Sequence, residues 1–126
     1  MIRPALAYWL GVFALGFVLG TMRTLWLEPA LGQLTAVALE LPLMLAASWW
    51  WSGRVLARWR LATRGAALGA GLLAFALLLA SEWALATALG QSGAEWLAAL
   101  TRPAGALGLA GQVLFALFPA ARWRAA

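Results

Sequence analysis

Residues 65–89 read GAALGAGLLAFALLLASEWALATAL, a run of 25 residues in which Glu82 is the only charged side chain. A helix of about 20 apolar residues, rising about 1.5 Å per residue, spans the hydrocarbon core of a bilayer. This run is therefore long enough to cross a membrane as a single helix. It has no alternation of polar and apolar residues, which argues against a half-buried strand.

Three further runs of similar length are also bounded by charged residues. They are the 19 uncharged residues between Arg3 and Arg23, the 25 residues between Glu28 and Arg54, which include Glu40, and the 19 residues of 103–121. We expect transmembrane helices at about 4–25, 29–51, 65–89 and 103–121. The sequence thus predicts an all-α integral membrane protein, a four-transmembrane-helix bundle that forms a single domain over residues 1–126.

The composition agrees with this class and excludes several others. Hydrophobic residues make up 65% of the chain and charged residues 10%, whereas a soluble domain carries about 25% charged residues. A soluble enzyme, a disordered tail and a disulfide scaffold are therefore excluded. The chain has no His and no Cys, so the common ligands of zinc, haem and iron–sulfur clusters and the His-activated nucleophiles are missing. We expect no enzymatic activity, no cofactor and no metal site.

The arginines predict the orientation in the membrane. Seven of the nine fall in the N-terminal segment, the 52–64 loop and the C-terminal tail, namely Arg3, Arg54, Arg58, Arg60, Arg64, Arg122 and Arg124. The positive-inside rule then places both termini in the cytoplasm of a multi-pass protein of the bacterial inner membrane. This placement accounts for the basic charge without a nucleic-acid partner. The first run is longer than a signal-peptide core of about 7–15 residues, so we expect a retained span.

Aromatic and basic residues mark the predicted membrane interfaces. Seven residues are expected to anchor the inner interface against anionic lipid headgroups: Trp49, Trp50, Trp51, Arg54, Arg58, Arg60 and Arg64. At the other side, Ser92 and Glu95 have the spacing of a helix capping box. We expect a short interfacial helix near 93–101 on the outer surface.

Polar residues inside the apolar runs are the candidate functional residues, because a charge in the bilayer centre is costly. Glu40 is expected near the midplane and Glu82 in the outer half of the bilayer. Helical phase favours a cluster between the helices that serves as a proton or cation site, formed by Glu40, Glu82, Arg23 and Gln112, with Arg102 reaching inward from the outer surface. The alternative is that these are unrelated positions, each satisfied locally or facing another subunit.

Proline and glycine positions predict helix shape and packing. Pro42 is expected to kink the second span and to free the carbonyl of Ala38, which could then bind a cation or water, although such kinks are commonly structural. Six glycines are expected to allow close helix packing: Gly16, Gly20, Gly65, Gly69, Gly105 and Gly108. The alternative role for these small-residue stripes is assembly into a homo-oligomer or a larger membrane complex.

The segments LWLEPALG (25–32) and ELPLMLAASW (40–49) resemble small four-span inner-membrane proteins of GC-rich proteobacteria. That resemblance implies an architecture and an inner-membrane location but no activity. Small multidrug resistance transporters are also four-span chains of similar length. Their essential Glu lies in the first span, whereas the acids here lie in the second and third, which argues against membership.

Two functions remain open from the sequence. The first is a non-catalytic accessory, assembly or scaffold component that acts through helix contacts, which the short loops and the small-residue stripes favour. The second is a small transporter or channel for protons or cations that uses Glu40 and Glu82. Loss of flux in a Glu40→Gln variant would distinguish the second from the first.

Overall fold

The computed structural model describes residues 2–124, which are helical apart from short connections and contain no strand. The elements are α1 (Ile2–Met22), a π-helical turn (Arg23–Leu27), α2 (Glu28–Leu31), α3 (Gln33–Arg58), α4 (Arg64–Ala88), α5 (Gly93–Leu100) and α6 (Pro103–Arg122). Four helical segments are long and apolar enough to cross a membrane, namely Ile2–Leu31, α3, α4 and α6. The predicted all-α architecture with four such helices is confirmed.

The four long helices form a ring in which each contacts two neighbours. Helix α1 packs against α3 and α4, and α6 packs against the same two helices. One end of this bundle holds the start of α1, the connection 59–63 and the end of α6. We call it the basic end, because it carries Arg54, Arg58, Arg60, Arg64 and Arg122. The other end, the α5 end, holds Gly32 and helix α5.

Helix boundaries differ from the prediction around Pro29. The first helix does not stop near residue 25 but continues through the π-helical turn and α2, and the chain breaks at Gly32, whose φ is 85°. Pro29 has no backbone N–H, so within this continuous helix the preceding π-helical turn lacks one helical hydrogen bond. Glycine adopts the positive φ without steric cost. The second spanning helix therefore begins at Gln33 instead of Pro29.

The other end of α3 also lies beyond its predicted limit. The helix continues seven residues past Trp51 to Arg58, so the predicted loop 52–64 is reduced to residues 59–63. The helix passes through Pro42 without a break. The predicted capping box is confirmed, since the Ser92 hydroxyl accepts from the Glu95 backbone N–H and the Glu95 carboxylate accepts from the Ser92 N–H.

A closely packed core fills the half of the bundle nearer the basic end. The Tyr8 and Phe115 rings stack with centroids 4.2 Å apart, and the Tyr8 hydroxyl donates to the Phe115 carbonyl at 2.5 Å. Pro119, four residues later in α6, has no N–H to offer that carbonyl. Tyr8 thus replaces the backbone hydrogen bond that the proline removes, and joins α1 to α6 across the bundle.

We expect Tyr8→Phe to lower the free energy of unfolding by about 1–3 kcal/mol, because it leaves the Phe115 carbonyl buried without a donor. In a Pro119→Ala background, a backbone N–H is available to that carbonyl, and the cost of Tyr8→Phe should fall. The free energy of unfolding is measured in mixed detergent micelles for the unmodified chain, the two single variants and the double variant. An equal cost of Tyr8→Phe with and without Pro119→Ala would contradict the idea that the Tyr8 hydroxyl replaces the missing proline N–H.

Glycines allow two close helix contacts, at positions that the glycine pattern did not select. A methyl group on Gly71 would collide with the backbone carbonyl of Ala116, so α4 and α6 approach closely there. A methyl group on Gly11 would collide with the indole of Trp51, which crosses from α3 onto α1. Both contacts require a residue without Cβ.

The six predicted packing glycines behave differently from one another. Gly105 packs against the Ala99 carbonyl and Gly16 against the Met44 side chain. Gly20 lies beside the Arg23 guanidinium and Gly65 beside its own cap residue, Thr63. A methyl group on Gly108 would meet no atom within 4 Å beyond its own stretch of helix backbone, and Gly69 is half-buried. Close interhelical packing is therefore not their common role.

Candidate functional site

A cavity of about 670 Å³ lies between the four long helices, in the half of the bundle nearer the α5 end. Its polar wall contains Arg23, Gln33, Glu40, Glu82 and Gln112, and the remaining lining is mostly apolar. Toward the basic end it is bounded by Val12, Leu78 and Phe115, which belong to the packed core. The cavity is therefore closed on that side by a tightly packed layer of side chains.

Five glycines line this cavity, namely Gly16, Gly20, Gly105, Gly108 and Gly111. A methyl group on Gly108 would find open space, whereas one on Gly105 would collide with the Ala99 carbonyl and one on Gly111 with the Leu41 side chain. Several of the small residues expected to bring helices together thus border open space between them.

Arg23 links two carboxylates at the edge of the cavity. Its Nε donates to Glu40 Oε2 at 2.5 Å and its Nη1 donates to Glu28 Oε1 at 2.6 Å. The three side chains are 24%, 16% and 21% exposed for Arg23, Glu40 and Glu28. Because these side chains are partly shielded from water, their charge-assisted hydrogen bonds are stronger than equivalent pairs on an open surface.

The π-helical turn positions Glu28 for this contact. The Glu28 backbone N–H bonds to the Arg23 carbonyl, five residues earlier. In a regular α-helix, residues five apart lie on different faces, whereas the wider π turn brings them closer to the same face. The local widening of the helix thus lets one arginine serve an acid on its own segment and another on α3.

A second polar pair lies on the opposite wall. The side-chain Nε2 of Gln112 donates to Glu82 Oε1 at 2.5 Å, which joins α6 to α4. The other amide atom, Gln112 Oε1, is buried and accepts no hydrogen bond within residues 2–124. In that part of the chain Glu82 forms no ion pair, since both salt bridges belong to Arg23. This wall therefore offers a carboxylate and an acceptor oxygen without a cationic partner.

Four of the five predicted polar residues line the same cavity, and Arg102 does not. Arg102 is the exposed N-cap residue of α6. In the described part of the chain, Arg23 alone pairs with Glu40, and Glu28, which the sequence pattern assigned to no site, joins the cluster. The spacing of five residues between Arg23 and Glu28 could indicate this contact only if a π turn were anticipated.

Two features of α3 concern Glu40 and the turn before Pro42. Glu40 is seven residues from the start of α3 and 18 from its end, so it lies nearer the α5 end than the middle of the helix. Ala38, whose carbonyl loses its donor at Pro42, is exposed and does not line the cavity. Pro42 is also exposed, and neither residue contributes to the candidate site.

The predicted interface anchors all lie near the basic end, but Trp51 points inward. Its indole N–H donates to the Ala7 carbonyl at 2.9 Å, and the ring packs against the core. Trp49 and Trp50 remain exposed, as do Arg54, Arg58, Arg60 and Arg64. Trp51 therefore joins α1 to α3.

No protein family, curated protein or solved structure matches this chain. Within residues 2–124, no group of three or more His, Cys, Asp or Glu side chains could hold a metal ion. The candidate site is consequently defined by its own geometry, a largely apolar cavity. One side carries Arg23 with two glutamates, and the other carries Glu82, which is hydrogen-bonded to the Gln112 amide but forms no salt bridge in that stretch of the chain.

Proposed function

We propose that this chain is a non-enzymatic membrane protein that binds a small amphiphilic cation in its internal cavity and acts as a carrier for it. The observation that carries this proposal is the cavity of about 670 Å³ beside Glu82. Small-molecule sites in proteins are commonly about 300–1,000 Å³, mostly apolar, with a few polar groups that fix the ligand. The cavity fits that description in size and in lining.

The charges favour a cation over an anion. The cluster holds one arginine against three acids, and Arg23 is already shared between Glu28 and Glu40. Glu82 is joined only to the neutral amide of Gln112. In a region of low dielectric, an incoming cation is attracted to such a site, whereas an anion is repelled. A ligand N–H group would also supply the donor that Gln112 Oε1 lacks.

The cavity favours a carrier over the alternative functions. A scaffold component that acts through its outer helix surfaces gains nothing from an internal space lined by charged groups. An open channel needs a continuous path, and the Tyr8–Phe115 core blocks the half of the bundle nearer the basic end. A binding cavity closed on one side is the arrangement expected of one state of a carrier.

The location follows from the same physical rules. We infer a multi-pass protein of the bacterial inner membrane, with the basic end in the cytoplasm together with both termini. The cavity then lies in the outer half of the bilayer. This orientation is supported by the arginine distribution between the two ends of the bundle.

We expect Glu82→Gln to weaken binding of tetraphenylphosphonium, an apolar cation, by about tenfold or more, because a single favourable charge contact of about 1.4 kcal/mol is worth that factor. Equilibrium dialysis with the purified full chain in detergent measures the affinity. Uptake of the same cation into proteoliposomes tests the carrier activity, which should fall with the affinity.

Glu95→Gln is the matched control. Glu95 carries the same charge but lies in the exposed capping box of α5, where Gln can still accept the hydrogen bond. This variant should bind tetraphenylphosphonium as the unmodified chain does. Equal weakening in both variants, or no saturable binding by the unmodified chain, would sink the proposal. Saturable binding of tetraphenylphosphonium without its uptake into proteoliposomes would contradict the carrier role but not the binding site.

A further inference from the structure

A second candidate site lies on the outer surface of α3 and α6 at the basic end. The Arg122 guanidinium carbon is 4.9 Å from the centroid of the Trp49 ring, and Arg122 Nη1 donates to the Trp49 carbonyl at 3.4 Å. Trp49 in turn meets Phe118 edge-on, with ring centroids 5.2 Å apart. Arg122 is thus held against α3 by a ring face and a backbone acceptor.

Gly53 makes room for this placement. A methyl group at residue 53 would collide with the Arg122 guanidinium. The guanidinium therefore lies against the backbone of α3 at Gly53, one turn beyond Trp49. The following residue of α3, Arg54, lies over the ring of Trp50, at 5.6 Å from the centroid. Each of these two guanidinium groups is thus held by a tryptophan of α3.

No acid balances these two arginines. The sequence contains four Glu and no Asp, and Glu28, Glu40, Glu82 and Glu95 all lie in or near the half that contains α5. The guanidinium N–H groups at the basic end therefore have no carboxylate side chain as partner. Beside them Trp49 and Trp50 expose apolar rings, with 42% and 60% of their surface accessible. Positive charge and exposed aromatic rings thus occur side by side.

We propose that this surface is a binding site for one anionic phospholipid. The phosphodiester would bind the N–H groups of Arg122, whose planar guanidinium suits phosphate oxygens, and Arg54 would add positive charge at the same end of α3. The acyl chains would lie along Trp49, Trp50 and the apolar surface of α3 toward the α5 end. The site is separate from the cavity, so its test does not depend on cation binding.

The test is native mass spectrometry of the purified full chain with equimolar phosphatidylglycerol and phosphatidylcholine in detergent. The unmodified chain should retain phosphatidylglycerol preferentially. Arg122→Gln should reduce that preference about fivefold, the contribution of one arginine at a lipid surface. Gly53→Ala should reduce it too, since it displaces the guanidinium while keeping its charge.

Arg3→Gln is the control variant, because Arg3 is an exposed arginine at the start of α1, at the same end, that lies outside the Trp49–Arg122 contact. It should retain most of the preference. Equal losses in Arg3→Gln and Arg122→Gln would overturn the proposal in favour of diffuse electrostatic attraction. No preference in the unmodified chain, or full displacement of the lipid by equimolar inorganic phosphate, would also overturn it. A thermal unfolding midpoint for each variant identifies losses caused by misfolding.

Discussion

Replacing Arg23 with Gln should lower the free energy of unfolding by about 3 kcal/mol or more. The substitution leaves Glu28 and Glu40 without their shared cation, in a place where both side chains are largely shielded from water. Removing one partner of a buried ion pair typically costs about 3–5 kcal/mol, because the remaining charge is uncompensated. Titration with sodium dodecyl sulfate, followed by circular dichroism, measures the change.

A double variant distinguishes the contribution of the ion pairs to stability from the contribution of the packing of the long Arg23 side chain. If uncompensated carboxylate charge causes the loss, adding Glu40→Gln to Arg23→Gln should recover part of the stability. Arg102→Gln serves as the control, since Arg102 is exposed, and it should change stability little. An Arg23→Gln variant as stable as the Arg102→Gln variant would contradict the role assigned to the Arg23 bridge.

Replacing Gly71 with Ala should destabilise the bundle by about 1–3 kcal/mol, the usual cost of forcing additional atoms into a packed interior. The new methyl group would meet the Ala116 carbonyl, which is backbone and cannot rotate away. Helices α4 and α6 would have to separate, and the Glu82–Gln112 contact between them would lengthen. The same detergent titration measures this cost.

Gly108→Ala is the matched glycine control. Position 108 is also within a helix long enough to span a membrane, but a methyl group there would meet no atom within 4 Å beyond its own stretch of helix backbone. The higher helix propensity of alanine should make this variant neutral or more stable by about 0.5–1 kcal/mol. Similar destabilisation at both positions would show that the Gly71 contact is not the cause.

The sequence predicted the helices well because their limits are set by charge and length. The runs between charged residues specify how much chain can lie in an apolar environment, and they led to four helices. The capping box at Ser92 was predictable because it depends on local hydrogen bonds over three residues. The helical phase of Arg23, Glu40, Glu82 and Gln112 was enough to place these residues on inward faces.

Features that depend on tertiary contacts were not predictable. The π turn moves Glu28 onto the Arg23 face, and no periodicity in the apolar pattern marks such a turn. Trp51 was assigned to an interface by its neighbours, yet Gly11 on another helix accepts its ring. Likewise, Gly71 differs from Gly108 only because the Ala116 carbonyl lies opposite it. Pairwise helix geometry decides each of these outcomes.

Photolabelling tests the central claim, a cation site inside the bundle, most directly. A quaternary ammonium amphiphile carrying a diazirine would be incubated with the full chain in lipid nanodiscs, irradiated, and its attachment sites mapped by peptide mass spectrometry. Labelling of cavity residues such as Leu85 and Leu109, abolished by excess tetraphenylphosphonium and by Glu82→Gln, is the predicted result. Labelling confined to outward-facing residues such as Trp26 and Leu114, unaffected by the competitor, would contradict it.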